Sequence, residues 1–255
     1  MTDQSTRSPG IAWITGAGTG IGRALAHRMA KEGWTIAISA RTRSDLDGLA
    51  AEVPGKVHPY PLDVTDADAV NQTANIIAAE LGTIDLAIFN AGTYHRTSAT
   101  NFDVSKFASM VELNIMGTLH CLSSVIPTMI ARRGGHIAVV ASVSGYVGLP
   151  GASGYGATKA ALINLCESLK PELEAEGVQL QLINPGFVKT PLTDKNDFPM
   201  PFLIEVDDAI EHIVTGLQST RFEIAFPWQM TLAIKSLRNV PHWLKFAVTR
   251  RMVRR

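Results

Sequence analysis

Tyr155 and Lys159 stand four residues apart, so in a helix both side chains leave by the same face. A tyrosine phenol, with a pKa of about 10, exchanges protons poorly near neutrality, and bringing it to about 7 requires roughly 4 kcal/mol. One ammonium about 4 Å away, at an effective dielectric of about 20, supplies roughly that amount. The pair is therefore a proton-transfer device if the fold sets it beside a reacting group. Ser142, with Ser144 as its rival, and Asn114 further upstream complete a polar set that the fold would have to bring together.

The elements that must do this are legible as alternating apolar runs and helical patterns. Residues 11–15, 35–40, 56–62, 85–90, 136–141, 179–184 and 222–226 read as strands. Several are apolar almost throughout, as strands covered on both faces of a parallel sheet should be. Residues 21–32, 44–52, 67–81, 104–132 (in two pieces), 155–176 and 207–217 read as helices, with Pro171 expected to kink the fifth. This rhythm predicts an α/β fold, a single-domain doubly wound parallel sheet over residues 11–226. A polar N-terminal extension, 1–10, precedes it, and an apolar then basic helical tail, 227–255, follows.

The first strand runs into Thr15-Gly16-Ala17-Gly18-Thr19-Gly20-Ile21-Gly22 and then a helix. Glycines there allow a tight turn and let phosphates approach the free N–H groups of a helix N-terminus, the arrangement that suits a dinucleotide. The second strand ends in Ser39-Ala40-Arg41-Thr42-Arg43, with no carboxylate to hold a ribose 2′-hydroxyl. Arg41 suits a 2′-phosphate instead, which favours NADP(H) over NAD.

The spacing T-G-x-x-x-G-x-G resembles the short-chain dehydrogenase/reductase family, and the resemblance extends over roughly residues 11–226. It assigns Gly16, Thr19, Gly20, Ile21 and Gly22 to the cofactor's phosphates, and Asp63 and the Val64 backbone to its adenine. Asn90-Ala91-Gly92 resembles the family's N-A-G element, across which the cofactor passes. In Pro185-Gly186-Phe187-Val188-Lys189-Thr190, which is similar to the family's P-G-x-V-x-T, Val188 and Thr190 would face the nicotinamide carboxamide and the phosphates. The resemblance also makes Tyr155 the acid in reduction and the base in oxidation. Ser142 would orient the carbonyl, Lys159 would hold the nicotinamide ribose as well as lowering the Tyr155 pKa, and Asn114 would organise a water in the proton relay. The expected activity is hydride transfer between NADP(H) and a carbonyl or secondary alcohol. A non-catalytic dinucleotide sensor or scaffold on the same fold is the alternative. The apolar segment 198–204 suggests either a lid over a lipophilic substrate or a subunit contact, and the resemblance implies a homodimer or homotetramer. Tyr94 and His95 read as solvated loop residues, with a place in the pocket as the other option.

Composition limits what else the chain could be. Formal charge is zero, with 23 basic and 23 acidic residues, which gives no reason to expect nucleic acid as a partner. Cys121 and Cys166 make neither a disulfide framework nor a metal set, so no metal is expected. A polar start with no apolar h-region predicts a cytoplasmic location. From Lys235 onward, however, there are seven basic residues and no acidic one. Residues 228–239 read as a helix with Met230, Ala233, Ile234 and Leu237 on one side, and a second piece starts at Pro241. Packing on the domain or a sister subunit is the plainer reading of this tail, and peripheral contact with an anionic membrane is the other.

Overall fold

The computed structural model describes residues 9–194 and 196–253; most of the N-terminal extension and the last two arginines lie outside them. Seven strands, β1 (Ile11–Thr15), β2 (Thr35–Ser39), β3 (Val57–Pro59), β4 (Ile84–Phe89), β5 (His136–Val140), β6 (Gln179–Pro185) and β7 (Glu223–Phe226), form one sheet in the order β3-β2-β1-β4-β5-β6-β7. All pairs are parallel. The chain winds outward in both directions from the β1–β4 junction, and a crevice at the strands' C-terminal ends there is where such sheets bind ligands.

Alternation along each strand builds two cores. Trp13, Phe89, Ile137, Val139 and Leu182 face one layer of helices. Ile14, Ile36, Ile88, Ala138 and Ile183 face the other. The first layer is α3 (Ala67–Glu80), α5 (Gly117–Ala131), α6 (Ser153–Ala175) and part of the tail; the second is α1 (Gly20–Lys31), α2 (Arg43–Glu52) and α7 (Val206–Leu217). Buried on both sides, the central strands need apolar residues at consecutive positions, which is why their sequences do not alternate.

Several details depart from the sequence reading. The third strand is short because Pro59 and Pro61 lack donors, although Tyr60 and Leu62 still donate to Ile38 and Ala40 (2.8 and 3.0 Å). The helix holding Tyr155 and Lys159 begins two residues earlier than expected and runs unbroken through Pro171 to Ala175. The segment 104–132 does fall into two pieces: α4 (Val104–Met110) and α5 are joined by a π-helical stretch, Val111–Met116. The whole stretch Val104–Ala131 is long and apolar enough to cross a membrane by length and composition. Here it packs Met110, Cys121, Leu122, Val125 and Met129 inward, as a core helix does.

Candidate active site

The π-helical stretch carries Asn114 and shifts the helix register by one residue, turning a polar side chain inward where the flanking turns bury apolar ones. Asn114 is fully buried, and its amide clamps two elements together. Oδ1 accepts from the Thr93 N–H (2.7 Å), while Nδ2 donates to the Thr93 carbonyl and the Thr158 hydroxyl (3.0 Å each). Thr158 precedes Lys159, so this clamp ties the loop after β4 to the helix that bears Tyr155 and Lys159. One Oδ1 lone pair is left over for a water.

Ser142 follows β5 and caps a short 3₁₀ turn, Val143–Gly145, accepting from the Ser144 N–H at 3.1 Å. Its hydroxyl donates to the Pro185 carbonyl at 3.3 Å and also lies within reach of the Tyr155 phenol. Ser144 spends its N–H on this cap, and Ser142 is the serine set beside Tyr155. Lys159 is buried, and its Nζ donates to the Val140 carbonyl at 2.8 Å, leaving two N–H donors for other partners. Lys159 Nζ and Asn114 Oδ1 both crowd the α-carbon of Gly92; a methyl there would lie 3.6 and 3.3 Å from them. Asn114, Ser142, Tyr155 and Lys159 thus converge at the C-terminal ends of β4, β5 and β6.

The electrostatics correct one expectation. Lys159 Nζ sits 5.6 Å from the centre of the Tyr155 ring. Burial pushes the Tyr155 phenol up to about 12, with the Ser142 hydrogen bond opposing it, and pushes Lys159 down to about 8. Desolvation therefore outweighs the attraction invoked from spacing alone, and both groups shift toward their neutral forms.

Tyr94 corrects a second expectation. Its ring stands edge-on to Tyr155 at 5.3 Å, partly buried, so it belongs to the site rather than to a solvated loop; His95 is exposed. Phe187 and Phe198 meet at 5.9 Å, and Arg96 lies over Phe198 while pairing with Asp197. An aromatic wall thus flanks the polar cluster. Beyond it, Phe202 and Leu203 are exposed, and Ile204 bridges to Val188.

The dinucleotide residues come together on the other side of the crevice. Gly16 has a left-handed backbone (φ 66°), and a methyl on Gly22 would stand 2.4 Å from the Gly16 carbonyl, so side chains are excluded from this turn. Thr19 caps α1 without spending its hydroxyl, which leaves the helix's first N–H groups and the small residues around them as an anion cradle. Thr190 lies over Gly20. These features fit a dinucleotide's phosphates. Other residues turn out to brace the cradle: Asn90 Nδ2 donates to the Thr15 and Gly16 carbonyls (3.2 and 3.0 Å), and the Ala91 N–H donates to Thr15 Oγ1 at 3.3 Å. His120 Nδ1 engages the Val64 carbonyl at 3.0 Å. Asp63 commits Oδ1 to Thr65, leaving Oδ2. Pro185 and Gly186 hold position through Ser142 and through a 2.7 Å bond from the Gly186 N–H to the Phe226 carbonyl. Arg41 is exposed and forms no ion pair among the described residues.

Sequence reasoning missed Asp45, whose carboxylate lies beside Gly18, and a polar hub behind Ser142. There Glu223 accepts from Asn184 Nδ2 at 2.8 Å and pairs with both Tyr146 and Lys235. Tyr146, Asn184 and Lys235 lie 77, 39 and 12 residues from Glu223, so no local pattern could announce them.

Known proteins agree with this architecture. The short chain dehydrogenase family profile matches residues 10–199. An uncharacterized oxidoreductase of Myxococcus xanthus is 37% identical over 255 residues, 99% of this chain and 100% of that protein. A 3-oxoacyl-[acyl-carrier-protein] reductase, FabG, of Thermotoga maritima is 34% identical over 188 residues, 72% of this chain and 76% of its own. The solved structure of ElxO with NADP bound superposes with a TM-score of 0.76 at 25% identity, covering 86% of this chain and 98% of that one. The chain belongs to the short-chain dehydrogenase family and is an oxidoreductase of that family.

Proposed function

We propose that the protein reduces a lipophilic carbonyl to a secondary alcohol with NADPH, the reverse reaction using the same residues. The observation that carries this is the convergence of Tyr155, Ser142, Lys159 and Asn114 at the strand ends, beside a phosphate cradle. Bound NADPH supplies the hydride. The Ser142 hydroxyl orients the substrate oxygen, and Tyr155 delivers its proton to that oxygen as negative charge develops there. Lys159 uses its remaining donors on the nicotinamide ribose, and Asn114 holds the relay water on its remaining Oδ1 lone pair. Tyr94, Phe187 and Phe198 form an apolar wall suited to a hydrophobic or aromatic substituent. A panel of carbonyls and alcohols assayed with both nicotinamide cofactors tests the proposal; no turnover of any carbonyl by wild type would leave the sensor reading in its place.

The NADP(H) preference rests on Arg41, exposed at the end of β2 and without an ion pair among the described residues. Asp45 beside Gly18 is the opposing feature, a carboxylate near the same pocket. A charge-assisted bond from Arg41 to a 2′-phosphate is worth about 1.5–3 kcal/mol, so Arg41→Ala should weaken NADPH binding about tenfold to a hundredfold and leave NADH binding nearly unchanged. Fluorescence titration measures both, and equal affinity of wild type for the two cofactors would refute the assignment.

Lys159 should also set a pH limit. Its ammonium is lost as pH rises through about 8, so kcat/KM for NADPH, which reports the free enzyme, should decline above that point. In Lys159→Arg the guanidinium does not titrate in this range, and the alkaline decline should disappear even if the rate is lower. A wild-type profile flat to about pH 10 would contradict the role given to Lys159.

We further propose a homodimer or homotetramer in the cytoplasm. Val104 at the start of α4, and Val111 and Met116 in the stretch that joins α4 to α5, are exposed, and these three support a subunit contact there. Light scattering should give two or four times the 27.5 kDa chain mass.

A further inference from the structure

The tail splits into two helices with opposite relations to the domain. The first, α8 (Trp228–Asn239), buries Met230 and Ile234 in the core beneath it, and its Lys235 reaches Glu223. The packing expected from sequence therefore holds for α8, although Ala233 faces outward. The second, α9 (His242–Arg250), buries Thr249 alone. A hydrogen bond from Lys245 Nζ to the Arg238 carbonyl at 3.2 Å also links it to α8. Trp243 is 73% exposed and Phe246 53%, with Leu244 and Val248 exposed as well. On the helical projection Trp243, Leu244 and Ala247 stand away from Thr249, so an apolar side faces outward. A nine-residue helix is marginal by itself in water, and apolar surface gathered in this way marks a contact.

Charge decides which contact. From Ile224 to Arg255 there are seven Lys and Arg and no Asp or Glu. Among the described residues only Lys235 of these has a carboxylate partner; Arg238, Lys245, Arg250 and Arg251 form no ion pair. Two copies meeting symmetrically through this face would set cation against cation. An anionic lipid surface accepts both features together. Tryptophan and phenylalanine settle at headgroup level, and arginines meet lipid phosphates. The short chain dehydrogenase profile ends at residue 199, so this surface lies outside the residues that it matches.

We propose that α9 and the arginines that follow it dock the protein on anionic bilayer surfaces. The docking helix is one helix removed from the chemistry, since it is α8 whose Met230 lies against Gly186. Tail variants should therefore leave turnover of a water-soluble carbonyl unchanged. The test is co-sedimentation of the full-length protein with phosphatidylglycerol-rich vesicles and with phosphatidylcholine vesicles at physiological salt. Binding is expected to the first and not the second, and it should weaken as salt is raised. Each basic residue near anionic lipid strengthens binding about fivefold, so Arg250→Glu/Arg251→Glu should weaken it at least about twentyfold. Trp243→Ser/Phe246→Ser should weaken it about tenfold or more with charge intact. Because these side chains are exposed, both variants should melt near the wild-type temperature. Absence of binding to anionic vesicles, or equal binding to neutral ones, would overturn the proposal. So would a loss of oligomer mass in Trp243→Ser/Phe246→Ser with vesicle binding unchanged, which would make the face a subunit contact.

Discussion

Tyr155→Phe is expected to lower turnover by at least about a hundredfold while dinucleotide affinity stays near wild type. The substitution removes one oxygen and keeps the ring, so the edge contact with Tyr94 at 5.3 Å and the packing of α6 are retained. What disappears is the proton next to Ser142. With its phenol pushed up to about 12, Tyr155 holds that proton throughout the physiological range. A strongly held proton still suits reduction, because hydride arrival turns the carbonyl oxygen toward an alkoxide, a much stronger base than a phenolate. In the oxidation direction the same pKa is a handicap, and the positive charge of an oxidised nicotinamide would have to offset it. Steady-state turnover and a cofactor titration on the same preparation separate the two effects. Near-normal turnover in Tyr155→Phe would remove Tyr155 from the chemistry and with it the proposed mechanism.

The central strands were legible in the sequence because burial on both faces demands consecutive apolar residues, and residues 11–15 match β1 residue for residue. Helix positions were equally plain where glycine loops and polar caps bounded them. The glycine turn could be placed from its position after the first strand, yet the bracing by Asn90 could not, since that contact joins two strand ends 74 residues apart in sequence. Tyr94 was misread for the same reason: a loop residue has no periodicity, and its partner Tyr155 lies on a distant helix. The direction of the Tyr155 shift was misjudged because spacing gives proximity to a charge but not depth below the surface, and here depth wins. In the tail, residues 228–239 were recognisable as a helix, whereas the exposure of Trp243 and Phe246 depends on where the chain turns after Asn239.

Gly145→Ala should be nearly as damaging as loss of the tyrosine, although no reacting atom is touched. Gly145 ends the 3₁₀ turn that Ser142 begins, and its φ is ordinary, so the constraint is space rather than backbone strain. A methyl at this position would stand 2.7 Å from the Lys159 carbonyl carbon and 2.8 Å from the Ala160 nitrogen, both main-chain atoms of α6. A helix backbone cannot swing aside as a flexible side chain can, so the turn and the helix must separate. Ser142 rides on one and Tyr155 and Lys159 on the other, which makes this contact the spacer between the hydroxyl that orients substrate and the phenol that protonates it. Overpacking of this kind costs about 1–3 kcal/mol, which should lower the melting temperature by roughly 2–10 °C. A displacement approaching 1 Å between the groups should lower kcat on the order of a hundredfold. Gly148→Ala is the matched control, three residues along with no atom within 4 Å of its methyl, and it should leave both quantities unchanged. If Gly145→Ala kept the wild-type kcat, the Ser142 turn would not be held to α6 by this contact, and the geometry assigned to the site would have to come from elsewhere.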